Sequence, residues 1–186
     1  MVLPIIAFGS QVLRKKCSEI DSSYKELSTL LENMWETMYN ASGVGLAAPQ
    51  IGLSIRLFIV DTHPFFEDDT DQINPIKEVF INPCIIEETG EISDFNEGCL
   101  SIPNLREDVS RKSIIKIQYF DSNFNKQEKI FDGISARVIQ HEYDHLNGVL
   151  FIDHLSAKRK NILNRKLQSI KKGKFQKRYD FKLSKK

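Results

Sequence analysis

His141-Glu142-Tyr143-Asp144-His145 decides how this chain of 186 residues is read. The segment carrying it has helical periodicity, with Ile134, Val138, His141 and His145 at i, i+4, i+7 and i+11. Histidines four residues apart share one helix face, so both imidazoles reach one metal ion. Glu142 lies about 100° round the helix from His141, where it reaches a water beside the ion without being a ligand. The helix is expected to begin near Gly133 or Ser135 and to stop at Asn147-Gly148, since glycine is common just past a helix end.

A catalytic site of this kind wants three protein ligands and one open position. The pattern H-E-x-x-H-x-x-G-x-x-H holds through Gly148 but would put its last histidine on Phe151. His154 is out of register, and no glutamate follows His145. The third ligand is therefore sought upstream. Cys99, in Glu97-Gly98-Cys99-Leu100-Ser101, is the best candidate, because a metal-bound thiol is held as thiolate. Gly98 lets the backbone approach the site closely. Cys17 and Cys84 stand in no motif and read as small buried hydrophobes.

A third stretch, Gly43-Val44-Gly45-Leu46-Ala47-Ala48-Pro49-Gln50, matches G-x-G-x-x-A on paper. A dinucleotide site would need a strand before it and a helix after it. Here a helix precedes and Pro49 blocks any continuation as helix. The glycines read better as a backbone edge along which a peptide lies. The Gln50 amide is a suitable donor to an oxyanion.

Taken together, G-x-G-x-A-A-P-Q at Gly43–Gln50, E-G-C-L-S at Glu97–Ser101 and Q-H-E-x-D-H-L-x-G at Gln140–Gly148 resemble the three signature motifs of peptide deformylases, in the same order. The opening Leu3-Pro4-Ile5-Ile6 and Val12-Leu13-Arg14-Lys15 are similar as well, so the resemblance spans roughly Met1 to Leu155. It implies hydrolysis of the N-formyl group of formylmethionyl nascent peptides, with release of formate. Carried over to this chain, it implies Cys99, His141 and His145 as metal ligands and Glu142 as general base and acid. The Leu100 N–H and the Gln50 side chain would hold the oxyanion. Gly43, Val44, Gly45, Glu97, Gly98, Arg106 and Val138 would border the substrate, with Arg111 pairing with Glu97. One divalent ion is implied: Fe(II) is expected, and Zn(II), Ni(II) and Co(II) suit the same ligands.

Two other readings use the same residues. A metallopeptidase would share the H-E-x-x-H helix but lacks a downstream ligand. A basic-tailed RNA-binding module would carry a structural metal, yet such sites normally close with four protein ligands.

The rest of the chain sets the frame. Hydrophobic residues make up 41% and charged residues 27%, which excludes wholesale disorder. No apolar run reaches the ~18–20 residues that span a bilayer, so no membrane role is expected. Met1 to Phe8 has no basic n-region, and three cysteines make no disulfide framework, so a reducing cytoplasm is expected. Ser23 with Glu26 predicts a capping box. From it Leu27, Leu30, Leu31, Met34 and Met38 form the apolar face of a first helix that ends by Gly43. Strands are expected at 55–60, 79–86, 91–95, 113–120 and 126–131. Glu67, Asp68, Asp69 and Asp71 read as an exposed acidic loop. The fold class is α+β: one domain, mostly antiparallel strands around the central metal-binding helix.

The net charge of +1 conceals a division. From Ser156 to Lys186 there are 13 bases and one acid, while Met1 to Leu155 carries a balance of −11. Residues 1–155 are read as the catalytic part. Residues 156–186 are read as a basic helix and tail extending the same domain, with Ile162, Leu163, Leu167 and Ile170 as the helix's apolar stripe. The tail is expected to contact the ribosome, since a dense basic segment binds polyanions. Residues 173–186 are expected to be removable without harm to the site.

Overall fold

A computed structural model of the chain describes residues 1–66 and 75–183. The expected acidic loop at Glu67, Asp68, Asp69 and Asp71 lies outside them. In chain order the elements are β1 (Ile5–Ile6), α1 (Leu27–Asn40), β2 (Gly45–Ala47), β3 (Leu57–Asp61), β4 (Lys77–Cys99), β5 (Ile102–Phe120), β6 (Lys126–Asp132), α2 (Gly133–Leu146), α3 (Ala157–Lys171) and β7 (Phe181–Lys182). Strands β2 to β6 form one five-stranded antiparallel sheet in sequence order. This is the expected α+β fold.

β3 explains how the layers stack. All five of its residues are buried, and the first four, Leu57 to Val60, read as an unbroken apolar run. Phe58 and Val60 face α2 and pack with Phe80, Ile115, Ile117, Val138 and Ile139. Leu57 and Ile59 face the other way and pack with Leu31, Met34 and Met38 of α1. One helix thus covers each face, and α2 is central because it packs against β2, β3, β5 and β6.

Four local readings change. Helix α1 starts at Leu27, not near Ser23, because Asp21 accepts hydrogen bonds from both the Ser23 N–H and its hydroxyl. That turn uses up the intended cap. The segments 79–86 and 91–95 are one strand, β4, which runs to Cys99. Its register shifts at Ile81/Cys84, Ile85/Glu87 and Thr89/Ile92 are bulges, and Pro83 sits within the first of them. Cys84 is exposed rather than buried, whereas Cys17 is buried. On α3, Leu163, Leu167 and Ile170 are buried against Leu105, Val109 and Phe151, but Ile162 is 60% exposed.

The tail gives the largest correction. β7 pairs in parallel with β1, Ile5 opposite Phe181, so the last described residues close against the first. Residues 174–183 pack against the folded body, so removing them takes away the contacts they make there.

Candidate active site

Helix α2 and the end of β4 bring the three proposed ligands together. Donor atoms of Cys99, His141 and His145 all lie within 4.8 Å of one another. Cys99 Sγ is 3.2 Å from His145 Nε2. The His141 and His145 rings are 5.2 Å apart at 79°, as successive turns of one helix face allow. One thiol and two imidazoles are a donor set that suits Fe(II) and Zn(II), and three donors leave a position open.

The orientation of His141 is imposed from behind. Its Nδ1 lies 2.9 Å from Glu97 Oε2, which leaves Nε2 for a cation. Glu97 in turn receives Arg111 Nε at 2.7 Å and Arg111 Nη2 at 3.1 Å, the expected pairing. Arg137 Nη1 adds a longer contact at 3.4 Å. Burial pushes the Glu97 carboxyl up, but the His141 and Arg111 hydrogen bonds outweigh it and hold the group at about 2. With both oxygens engaged, Glu97 borders the cleft but spends its side chain on His141. Arg111 continues to Asp144 at 2.8 Å, and Asp144 to His154 Nε2 at 2.8 Å.

Glu142 has no such support. It is 4% exposed, and its Oε2 has no hydrogen-bond partner among the described residues. Burial raises its carboxyl to about 7. Opposite it runs β2, and a Cβ on Gly45 would stand 2.5 Å from Glu142 Oε1, so a larger residue there would have to displace the Glu142 side chain. Gln50, in the short turn after β2, fixes its Oε1 on the Ala47 N–H at 2.8 Å and aims Nε2 at Cys99 Sγ, 3.5 Å away.

These groups border one cleft of about 820 Å³. Gly43, Val44, Gly45, Gln50, Glu97, Gly98, Cys99, Leu100, Arg106, Val138, His141 and Glu142 all line it. His145 sits behind them, 1% exposed. Arg106 folds back onto Asn96, its Nε 2.9 Å from Oδ1, and its guanidinium fills the space where a Gly98 side chain would go. The family model described as polypeptide deformylase matches residues 2–161.

The chain belongs to the polypeptide deformylase family.

A peptide deformylase of Christiangramia forsetii is 52% identical over 185 residues, covering 96% of this chain and 94% of its own. One of Flavobacterium psychrophilum is 51% identical over 189 residues, covering 98% and 97%. A crystal structure of a peptide deformylase from Legionella pneumophila is 35% identical and superposes with a TM-score of 0.81, covering 95% of this chain and 99% of that one. Membership makes the chain a metallohydrolase that removes the N-formyl group from nascent peptides, which sets aside the metallopeptidase and the RNA-binding module. A metal ion is part of such an enzyme. No helix among the described residues is long and apolar enough to cross a membrane.

Sequence reading of this deformylase missed several residues of the site. Arg137 and Asp144 lie on α2, one turn from His141 on either side, and serve Glu97 and Arg111. Gln176, Arg178, Tyr179 and Phe181, all from the tail, line the cleft as well. Their signal was the aromatic series Phe175, Tyr179, Phe181 among lysines, which charge counting passes over.

Proposed function

We propose that Cys99, His141 and His145 hold one divalent cation, Fe(II) in the cell, and that Glu142 carries the proton of the reaction. A cation in that set would supply Lewis acidity and would lower the pKa of a water beside it. Glu142 then accepts a proton from the attacking water and delivers it to the leaving amine. The observation that carries this reading is the buried, unpartnered Glu142 Oε2 beside three ligand atoms within 4.8 Å of one another. Burial pushes this carboxyl up, the direction that lets it hold a proton as well as take one.

The Gln50 amide and the Leu100 N–H are the oxyanion donors. The substrate runs along Gly43 to Gly45, which lead into β2, the edge strand of the sheet among the described residues, where a peptide can pair. Val138, on α2 two turns before His145, borders the pocket for the methionine side chain. Arg106 stands near the substrate mouth. Nascent chains place the enzyme in the cytoplasm, where the exposed basic face of α3 meets ribosomal RNA.

The test is formate release from formyl-Met-Ala-Ser by anaerobically purified enzyme, with metal analysis alongside. Glu142→Ala should retain the metal and lose about 10²–10⁴ in kcat, the typical worth of a proton-transfer group. A metal-free Glu142→Ala protein would put Glu142 among the ligands and overturn the assignment.

A further inference from the structure

The geometry points to Tyr179 as a positioning residue for deformylation: it holds the Leu100 turn so that the Leu100 N–H faces the formyl oxygen. The inference rests on the reading of Leu100 as an oxyanion donor.

The Tyr179 hydroxyl donates to the Leu100 carbonyl at 2.8 Å. The neighbouring carbonyl, that of Ser101, accepts from the Phe8 N–H at 2.8 Å. Two successive carbonyls of the turn between β4 and β5 are therefore held, one from each end of the chain. Phe8 follows β1 and Tyr179 precedes β7. These strands are joined by Ile5 N–H to Asp180 carbonyl at 2.9 Å and Ala7 N–H to Lys182 carbonyl at 3.0 Å. The ring of Tyr179 is itself fixed, 4.5 Å from Phe181, which stands 4.8 Å from Phe175.

Leu100 is thus bracketed. On one side Cys99 is drawn into the ligand set, and on the other Tyr179 pins the Leu100 carbonyl. The Leu100 N–H belongs to the Cys99–Leu100 peptide and its carbonyl to the next one, so with Cys99 in the ligand set and the Leu100–Ser101 plane held, only φ and ψ of Leu100 remain to turn the N–H between the two anchors. A donor aimed in advance costs no reorganisation when the oxyanion forms. Burial also pushes the Tyr179 phenol well above its ordinary range, so it stays a neutral donor. Tyr179 lies beyond residues 2–161, so the segment shared with the family model does not include it.

A tyrosine that merely anchored the tail would affect stability and substrate affinity. A positioning residue acts on kcat. Tyr179→Phe removes the hydroxyl and keeps the ring. In the metal-loaded enzyme, assayed on formyl-Met-Ala-Ser, it should lower kcat about tenfold, less than outright removal of an oxyanion donor. KM should stay within about twofold, as expected when an interaction made only in the transition state is lost. Metal content and affinity for the product Met-Ala-Ser should not change, and the melting temperature should fall by no more than the several degrees that one lost hydrogen bond costs. Gln50→Ala, measured alongside, reports on the oxyanion reading separately. An unchanged kcat for Tyr179→Phe, or a loss matched by lost metal or lost fold, overturns the inference. If Gln50→Ala is slow in that case, only Tyr179's role falls. If Gln50→Ala also runs at the wild-type rate, the oxyanion assignment falls with it.

Discussion

The Cβ that Gly45 lacks would stand 2.5 Å from Glu142 Oε1. A glycine in the edge strand thus makes room for Glu142, the proposed proton carrier, on the facing helix. Gly45→Ala should push the Glu142 carboxyl aside without touching a ligand. Misplacement of a reacting group by about 1 Å can cost 10²-fold, so kcat should fall by roughly 10–10² with metal content intact. A Gly45→Ala enzyme with full activity would mean that Glu142 moves freely and that its placement is not critical.

Cys99→Ala should abolish tight metal binding and formate release together. Cys17→Ser and Cys84→Ser should retain both. Cys84 is exposed and Cys17 is buried at the Leu146 end of α2, its N–H bonded to the Leu146 carbonyl. The Fe(II) form of the wild type should lose activity in air, since iron and thiolate both oxidise. Activity that survived Cys99→Ala would show that the sulfur was wrongly chosen.

Glu97 makes acid stability measurable at a single carboxylate. Its folded pKa, about 2, lies below the ordinary 4.5. A depressed carboxylate stabilises the fold fully above its unfolded pKa and loses that contribution as pH falls toward its folded value. Metal-free wild type should therefore lose unfolding free energy between pH about 4.5 and about 2. The metal-free Glu97→Gln protein should show a shallower slope in that window, read from denaturant titrations at each pH. Parallel slopes would remove Glu97 as the source.

Ribosome contact now needs a test that leaves the tail in place. Lys158, Arg165 and Lys166 are exposed on α3 and absent from the cleft wall. Reversing all three to glutamate should weaken co-sedimentation with ribosomes at low salt, and formyl-Met-Ala-Ser turnover should not change. Counterion release makes the wild-type interaction fall steeply with added salt. Equal co-sedimentation of variant and wild type would exclude this face as the contact.

The sequence was most legible where one residue type serves one periodicity. Ile134, Val138, His141 and His145 announce α2 and its metal-facing side together. The run Leu57 to Val60 announces a strand covered on both faces. It was less legible where side chains compete or backbones bend. Ser23 looked like a helix cap until Asp21 took its hydroxyl. Glu87 to Gly90 looked like a break between strands because bulges disturb the alternation that marks a strand. Ile162 fits the apolar stripe of α3 by spacing, yet it points to solvent because the groove beneath takes only Leu163, Leu167 and Ile170. Glu97 stood in a motif and its pairing with Arg111 was expected, but its contacts with His141 and Arg137 were not, because only the fold brings the end of β4 against α2. Tyr179 was hidden by its neighbours, since thirteen bases in the last 31 residues invite a reading by charge alone.

The pairing of β1 with β7 has a consequence in time. Ile5 and Phe181 are far apart in the chain, and a contact that closes so long a loop forms more slowly than a pairing of neighbouring strands such as β4 with β5. The wall beside Leu100 therefore closes late in folding, after the sheet that carries Cys99.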